Sequence, residues 1–250
     1  MATNIATLNQ MATNKGWWSR LTFEHKFFLA FSLFIPVLTV IGYAQTYYLK
    51  PLFNTPPLPS GLVHLHALLM SAWIVLFGVQ AYLVSSKRIK MHITLGMLGI
   101  SLATAMVIIG TMTGVAALKR GSTFPGYTPE VFFMIPMGDM VVFPIIFAAA
   151  IYYRHDAASH KRLMLVTMLN LIGPSIARLP LPFILDLGTI WFFGLPNLIA
   201  FSLLAFDTYR NGKMNKAFAA GIMLSFISWP LRMAIAYTGT WEQFTNWLVS

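Results

Sequence analysis

The chain has 250 residues, of which 57% are hydrophobic and only 10% charged, and its mean hydropathy is +0.69. Soluble domains carry about 25% charged residues, so this composition predicts an integral membrane protein in contact with the lipid bilayer. The net charge of +10 is expected to reside in cytoplasmic loops, and no nucleic-acid partner is predicted. The absence of cysteine excludes disulfides, iron–sulfur clusters and thiolate metal sites.

The predicted fold is an all-α polytopic membrane helix bundle of about seven transmembrane helices, because seven stretches each supply roughly 20 mostly apolar residues. These stretches are residues 27–48, 61–84, 95–118, 131–153, 163–179, 189–206 and 217–237. Six spans are the alternative, if residues 180–188 re-enter the membrane. Residues 1–26 are expected to form a cytoplasmic segment without a cleavable signal peptide, residues 27–237 the bundle, and residues 238–250 an external tail.

The distribution of Lys and Arg predicts the orientation of this bundle. With the N-terminus inside, the inner segments hold twelve basic residues, the outer segments three and the spans two, which accounts for all 17. The inner ones are Lys15, Arg20, Lys26, Lys87, Arg88, Lys90, Arg154, Lys161, Arg162, Arg210, Lys213 and Lys216; the outer ones are Lys50, Lys119 and Arg120. Because basic residues are retained on the cytoplasmic side, the N-terminus is predicted inside and the C-terminus outside.

Two histidines occupy matched positions at the predicted cytoplasmic starts of spans three and five. "HITLGML" begins at His92 and "HKRLMLV" at His160, each after a basic loop and each with a leucine three residues later. Parallel repeats are a common way to build a membrane site. We therefore predict that His92 and His160 approach each other and bind a b-type haem or a transition-metal ion. Lys90, Lys161 or Arg162 are then expected to contact the haem propionates.

Several costly polar groups lie at the predicted outer side, where intramembrane ionisable residues mark function by default. His64 and His66 begin the second span, and side chains at i and i+2 of a helix point about 200° apart. One of them is therefore expected to face the bundle and the other the external loop or the headgroups. The inward histidine is predicted to share a metal or proton site with Asp139, near Arg178 or Arg232 and Asn170. An Asp–Arg bond that only fixes the bundle is the alternative.

Three methionines, Met134, Met137 and Met140, follow each other at i+3 on span four. Thioethers bind copper(I), but the chain contains 15 methionines, so packing is the favoured interpretation of this stripe. His25 and His155 lie in polar segments and are interpreted as solvated side chains.

The motifs "HLH" at residues 64–66, "H-x-x-L-G" at His92, the intramembrane Asp139, and "HKRLM" followed by "GPSIAR" resemble a recurring group of uncharacterised bacterial multi-span proteins. The resemblance covers roughly half the chain, about residues 61–178, and implies a bacterial inner-membrane location but no activity. More distantly, histidines at the ends of neighbouring spans resemble the di-haem membrane cytochromes of the b561 type, which implies a b-type haem. The chain departs from that pattern on the outer side, where no histidine completes a second pair.

Three functions stay open at this point. The first is a redox or metal-handling protein that passes electrons to a quinone or a respiratory complex. The second is a proton-coupled small-solute carrier, supported by proline-broken spans, Asp139 and the outer histidines. The third is a non-catalytic subunit or assembly factor of a membrane complex. Rhodopsins and zinc-dependent membrane hydrolases are excluded, because span seven has no lysine and no histidine follows His160.

Overall fold

The computed structural model describes residues 17–182, 184–188 and 190–250, and this part of the chain forms helices without strands. Sixteen residues of the predicted cytoplasmic segment, including Lys15, and also Phe183 and Thr189 lie outside the described residues. The helices are α1 (Phe23–Tyr43), α2 (Gly61–Ser85), α3 (Ile89–Lys119), α4 (Pro129–Tyr152), α5 (Ala157–Leu171), α6 (Gly173–Ile176), α7 (Ile184–Leu187), α8 (Leu195–Asn211), α9 (Lys216–Ala236) and α10 (Gly239–Val249). Wider π-helical turns extend α1 through Tyr48 and precede α8 from Ile190.

Side-chain caps fix where five of these helices begin. The first turn of a helix leaves backbone N–H groups without partners, and a Thr, Asp or Asn oxygen at the N-cap accepts one of them. The capping residues, in chain order, are Thr22, Thr128, Asp156, Asn215 and Thr238. The polar residues that separate the apolar stretches therefore also start the helices.

Six stretches of the described chain are long and apolar enough to cross a membrane. They are Phe23–Tyr48, Gly61–Ser85, Ile89–Lys119, Pro129–His155, Ile190–Asn211 and Lys216–Ala236. Large hydrophobic side chains on these helices, such as Leu68, Val75 and Ile108, are exposed on the outside of the bundle, where lipid can cover them. The chain is thus an integral membrane protein with an all-helical fold.

The predicted fifth span, residues 163–179, differs from the other six because its helix is broken. α5 ends at Leu171, and α6 restarts at Gly173 with Pro174, which has no backbone N–H to continue the ladder. Lys161 near the start of α5 forms an ion pair with Glu24 at the start of α1, at 2.5 Å. Ser175 in α6 lies against Gly42 at the end of α1. Together α5 and α6 therefore run the length of α1, although seven membrane crossings remain a prediction.

The broken helix lies at the centre of the bundle. Eight residues of α5 are buried, more than half of its length, and they contact α4, α8 and α9. The largest fully buried side chains include Phe143 of α4 and Phe218 and Ile222 of α9. Because other helices and not lipid surround α5, it needs few apolar side chains on the outside of the bundle.

The methionine stripe of α4 packs against glycines of α3. The side chain of Met140 occupies the place where Gly110 would carry a Cβ, and Met137 does the same at Gly114. Flexible thioether side chains fill such irregular gaps well. These contacts support the packing interpretation of the stripe.

The ends of the described chain lie at opposite ends of the bundle. Glu24 pairs with Lys161, beside the turn where α4 leads into α5. Trp241 of α10 donates its indole N–H to the carbonyl oxygen of Glu130, at the other end of α4, at 2.9 Å. We refer to these as the Glu24 end and the Trp241 end. Which of them faces the cytoplasm stays a prediction.

Candidate functional site

The first turns of α3 and α5 bring His92 and His160 together at the Glu24 end. Their ring centroids are 6.3 Å apart and the ring planes make an angle of 81°. Both histidines follow a short connection between antiparallel helices, α2–α3 in one case and α4–α5 in the other. The two rings therefore meet as the repeat predicts, while their role as ligands stays a prediction.

A backbone carbonyl sets the protonation pattern of His160. Its Nδ1 lies 2.8 Å from the carbonyl oxygen of Ala150, near the end of α4. A carbonyl oxygen only accepts hydrogen bonds, so Nδ1 must carry the proton and donate it. In the neutral ring Nε2 then has a free lone pair, which is the arrangement typical of metal-binding histidines.

Unpartnered polar atoms occur at the end of α2 and the start of α3, the region that includes His92. Its Nδ1, the Oε1 of Gln80 and the Oγ of Ser86 are all buried without a hydrogen-bond partner among the described residues. The Gln80 side chain lies against Gly96, one turn after His92 on α3. A buried polar atom without a partner costs about 1–3 kcal/mol, so these atoms on α2 and α3 mark a region suited to a ligand or to rearranged side chains. The sequence analysis missed Gln80, although it is the one amide in an otherwise apolar span.

The ligand count at this pair is small. Within the ranges that the structure describes, no group of three or more His, Cys, Asp or Glu side chains is placed to hold a metal ion. His92 and His160 thus offer two protein ligands, and any further ligands of a bound metal would have to come from another molecule.

His64 and His66 diverge as the helix geometry requires. His64 is exposed, and its Nδ1 lies 3.3 Å from the hydroxyl of Tyr47, in the turn that precedes the loop between α1 and α2. His66 is half-buried, and its Nδ1 lacks a partner in the described chain. One imidazole therefore faces the bundle and the other the loop region.

Asp139 is buried and pairs with a different arginine. Arg232 of α9 donates from Nη1 to Asp139 Oδ1 at 2.6 Å and to the carbonyl oxygen of Ile135 at 3.1 Å. Gly138 provides the space, because a Cβ there would collide with the Arg232 side chain. This close packing favours the interpretation of the Asp–Arg pair as a bond that fixes α4 against α9.

Arg178 and Asn170 complete the predicted outer pocket only in part. Arg178 donates to the carbonyl oxygen of Pro174 at 2.9 Å, and its guanidinium lies 4.8 Å from the ring centre of Tyr43. Asn170 Nδ2 is buried without a partner in the described residues. The described contacts join Asp139 to Arg232 and Arg178 to Pro174 and Tyr43, so they do not gather the expected members into one pocket.

A buried ion pair that sequence reasoning missed lies at the Glu24 end. Arg162 is 7% exposed and donates from Nε and Nη2 to both carboxylate oxygens of Asp207, at 2.8 and 2.6 Å. The prediction assigned Arg162 and Lys161 to haem propionates, but here they bind Asp207 and Glu24. Asp207 went unnoticed because it follows the last residue of the predicted sixth span, although an acid at that place was a usable signal.

Comparisons with known proteins give no relative for this arrangement. No protein-family model matches the chain, and no curated protein or solved structure matches it significantly.

Proposed function

We propose that this integral membrane protein uses His92 and His160 to bind one transition-metal centre, as haem iron of the b type or as a metal ion, for electron transfer. The observation that carries the proposal is the approach of the two imidazoles to 6.3 Å between ring centroids. Two metal–nitrogen bonds of about 2 Å, plus roughly 1 Å from each nitrogen to its ring centre, give a separation of about 6 Å.

The donor set and the cavities favour different forms of this centre. A haem would be held by His92 and His160 as its two protein ligands and would supply one-electron chemistry there. A metal ion without a porphyrin needs further ligands from water or another molecule. However, neither of the two cavities described in the bundle is lined by His92 or His160. The haem form therefore has no support from these two cavities.

The chain's own residues have defined roles in such a site. The carbonyl oxygen of Ala150 accepts a hydrogen bond from Nδ1 of His160, which would leave Nε2 as the atom that binds the metal. His92 and Gln80 offer a donor and an acceptor that lack partners in the described chain, and they can hydrogen-bond when the His92 ring is fixed by a ligand. A bound iron or copper would supply one-electron chemistry. A quinone or a respiratory complex in the same membrane is the partner class that this chemistry implies.

A proton-coupled small-solute carrier is the second candidate, supported by the half-buried His66, whose Nδ1 lacks a partner in the described chain. The close Asp139–Arg232 pair weighs against it, because a buried arginine already occupies this carboxylate. A non-catalytic subunit or assembly factor would need none of these histidines.

Optical spectroscopy with metal analysis on the detergent-purified chain tests the proposal. We expect either a reducible haem spectrum or about one transition-metal ion per chain. His92→Ala and His160→Ala should each abolish it, whereas His155→Ala, an exposed histidine at the same end, should retain it. A protein without haem or metal after growth in supplemented medium, or equal loss in all three variants, contradicts the proposal. Retained solute uptake in His92→Ala with loss in His66→Ala favours the carrier.

A further inference from the structure

A cavity of about 310 Å³ opens at the Glu24 end between α1, α5, α8 and α9. Its volume is at the lower limit of small-molecule sites, which have about 300–1,000 Å³. Leu165 and Phe218, 2% and 1% exposed, form part of its inner wall, and Phe27, Phe28 and Leu203 also line it. The wall is thus apolar and largely aromatic.

Two acids, Glu24 and Asp207, and two arginines, Arg162 and Arg210, line this cavity, and Lys161 outside the lining pairs with Glu24. Arg162 neutralises Asp207 through two hydrogen bonds, and Lys161 neutralises Glu24. Arg210 also lines the cavity, with its guanidinium 4.0 Å from the ring centre of Phe23 and without an acidic partner among the described side chains. One positive charge is therefore left over beside the opening.

The backbone adds to this preference for a negative group. Thr22, Phe23 and Glu24, the cap and first turn of the 21-residue helix α1, line the same cavity. The first N–H groups of a helix carry partial positive charge and favour anions. The Thr22 hydroxyl accepts from the His25 N–H, so its own hydrogen is free to be donated.

We propose that this cavity binds an anionic phospholipid of the leaflet at the Glu24 end. The phosphate lies beside Arg210 and the start of α1, and the glycerol and first methylenes lie on the phenylalanine wall. A free inorganic anion would satisfy the charge but leave the apolar wall without a partner. The site is separate from the histidine pair, since Arg162 and His160 are two residues apart and leave α5 on nearly opposite sides.

Thermal unfolding of the full chain in detergent, with added phosphatidylglycerol or phosphatidylcholine, tests this assignment. Phosphatidylglycerol should raise the unfolding temperature at concentrations about five- to tenfold lower than phosphatidylcholine, because the choline cation of phosphatidylcholine is repelled by Arg210 and phosphatidylglycerol carries no cation. Arg210→Gln should remove that difference. Lys213→Gln, which removes an exposed charge three residues later and outside the cavity lining, should keep it. Equal loss in both variants, or none in Arg210→Gln, overturns the site.

A second variant and a second ligand separate the lipid from a simple anion. Leu203→Trp adds volume to the cavity wall and leaves every charge in place, so it should weaken phosphatidylglycerol protection although Arg210 is intact. If Leu203→Trp binds the anionic lipid as the parent chain does, the cavity is not the site. If millimolar inorganic phosphate protects as well as phosphatidylglycerol, the lipid assignment is wrong.

Discussion

Two buried arginines on different helices each form an ion pair with a carboxylate of a neighbouring helix, at 2.6 Å. Arg162 joins α5 to α8 through Asp207, and Arg232 joins α9 to α4 through Asp139. Arginine is suited to this task because its planar group donates several hydrogen bonds and stays charged. Arg162 is the better satisfied of the two. Arg232 leaves its Nε buried without a partner in the described chain.

We predict that Asp207→Ala destabilises the fold by about 3–5 kcal/mol, because it removes two hydrogen bonds from the buried Arg162 and leaves that charge with the longer, 4.0 Å ion pair to Glu24. Asp186→Ala, at an exposed acid near the other end, should change stability by less than about 0.5 kcal/mol. Unfolding in increasing SDS, followed by circular dichroism, measures both. The double variant Arg162→Leu with Asp207→Leu should recover most of the loss. A double variant as unstable as Asp207→Ala would show that the ion pair is not the cause.

The sequence identified some of these residues and missed others for a physical reason. His92 and His160 were recognisable because an imidazole repeated in one context at the start of a span is costly and rare. Asp139 and Arg232 were recognisable because both lie deep in apolar stretches. Arg162 gave no such signal, since a basic residue at a predicted inner interface is expected to face water. Its burial depends on α8 lying beside α5, which no local pattern encodes.

The backbone of α1 comes close to the backbone of α6 at the break after α5. A Cβ on Gly42 would collide with the Ser175 carbonyl oxygen, and the Ser175 hydroxyl donates to Thr39 at 3.4 Å. The break turns the backbone of α6 toward α1, and only a glycine allows this distance. The polar carbonyl groups freed by the break are thereby covered by protein and not by lipid.

We expect Gly42→Ala to destabilise the bundle by about 1–3 kcal/mol, because backbone atoms cannot yield as a side chain does. Gly78→Ala is the matched control: its Cβ would meet Ser32 at an ordinary 3.7 Å, and alanine favours the helix by up to about 1 kcal/mol. Thermal unfolding in one detergent compares the two. Equal stability of the two variants would refute a tight contact between α1 and α6.

The lengths of the helices were predictable where the thickness of the bilayer determines them, and less predictable elsewhere. The second span was expected at residues 61–84 and the helix is Gly61–Ser85. The third was expected at residues 95–118, but α3 begins at Ile89, because the polar first turns that include His92 continue the helix beyond the apolar region. Residues 163–179 read as one apolar span, whereas α5 and α6 form a broken helix inside the protein. Burial by neighbouring helices removes the requirement for an unbroken 20-residue helix.

The contacts of successive segments alternate between the two ends of the whole molecule. α1 starts beside Lys161 and ends beside Ser175, α8 ends beside Arg162, and α9 ends beside Val131 near the start of α4. An odd number of passes follows if α5 and α6 together cross the membrane. The basic residues of the Glu24 end, including Arg210, then belong to the side that retains positive charge.

Single-cysteine labelling decides this topology, because the chain contains no cysteine and each introduced thiol reports its own position. Exposed uncharged positions leave the basic count unchanged: Ala157 and Met214 at the Glu24 end, Thr123 and Ser250 at the Trp241 end. In intact cells a membrane-impermeant maleimide should label Thr123→Cys and Ser250→Cys, and it should label Ala157→Cys and Met214→Cys only after permeabilisation. Six crossings would instead put Ser250 on the same side as the N-terminus. Labelling of Ser250→Cys together with Ala157→Cys under one condition would therefore refute the crossing by α5 and α6, whatever the orientation of the bundle.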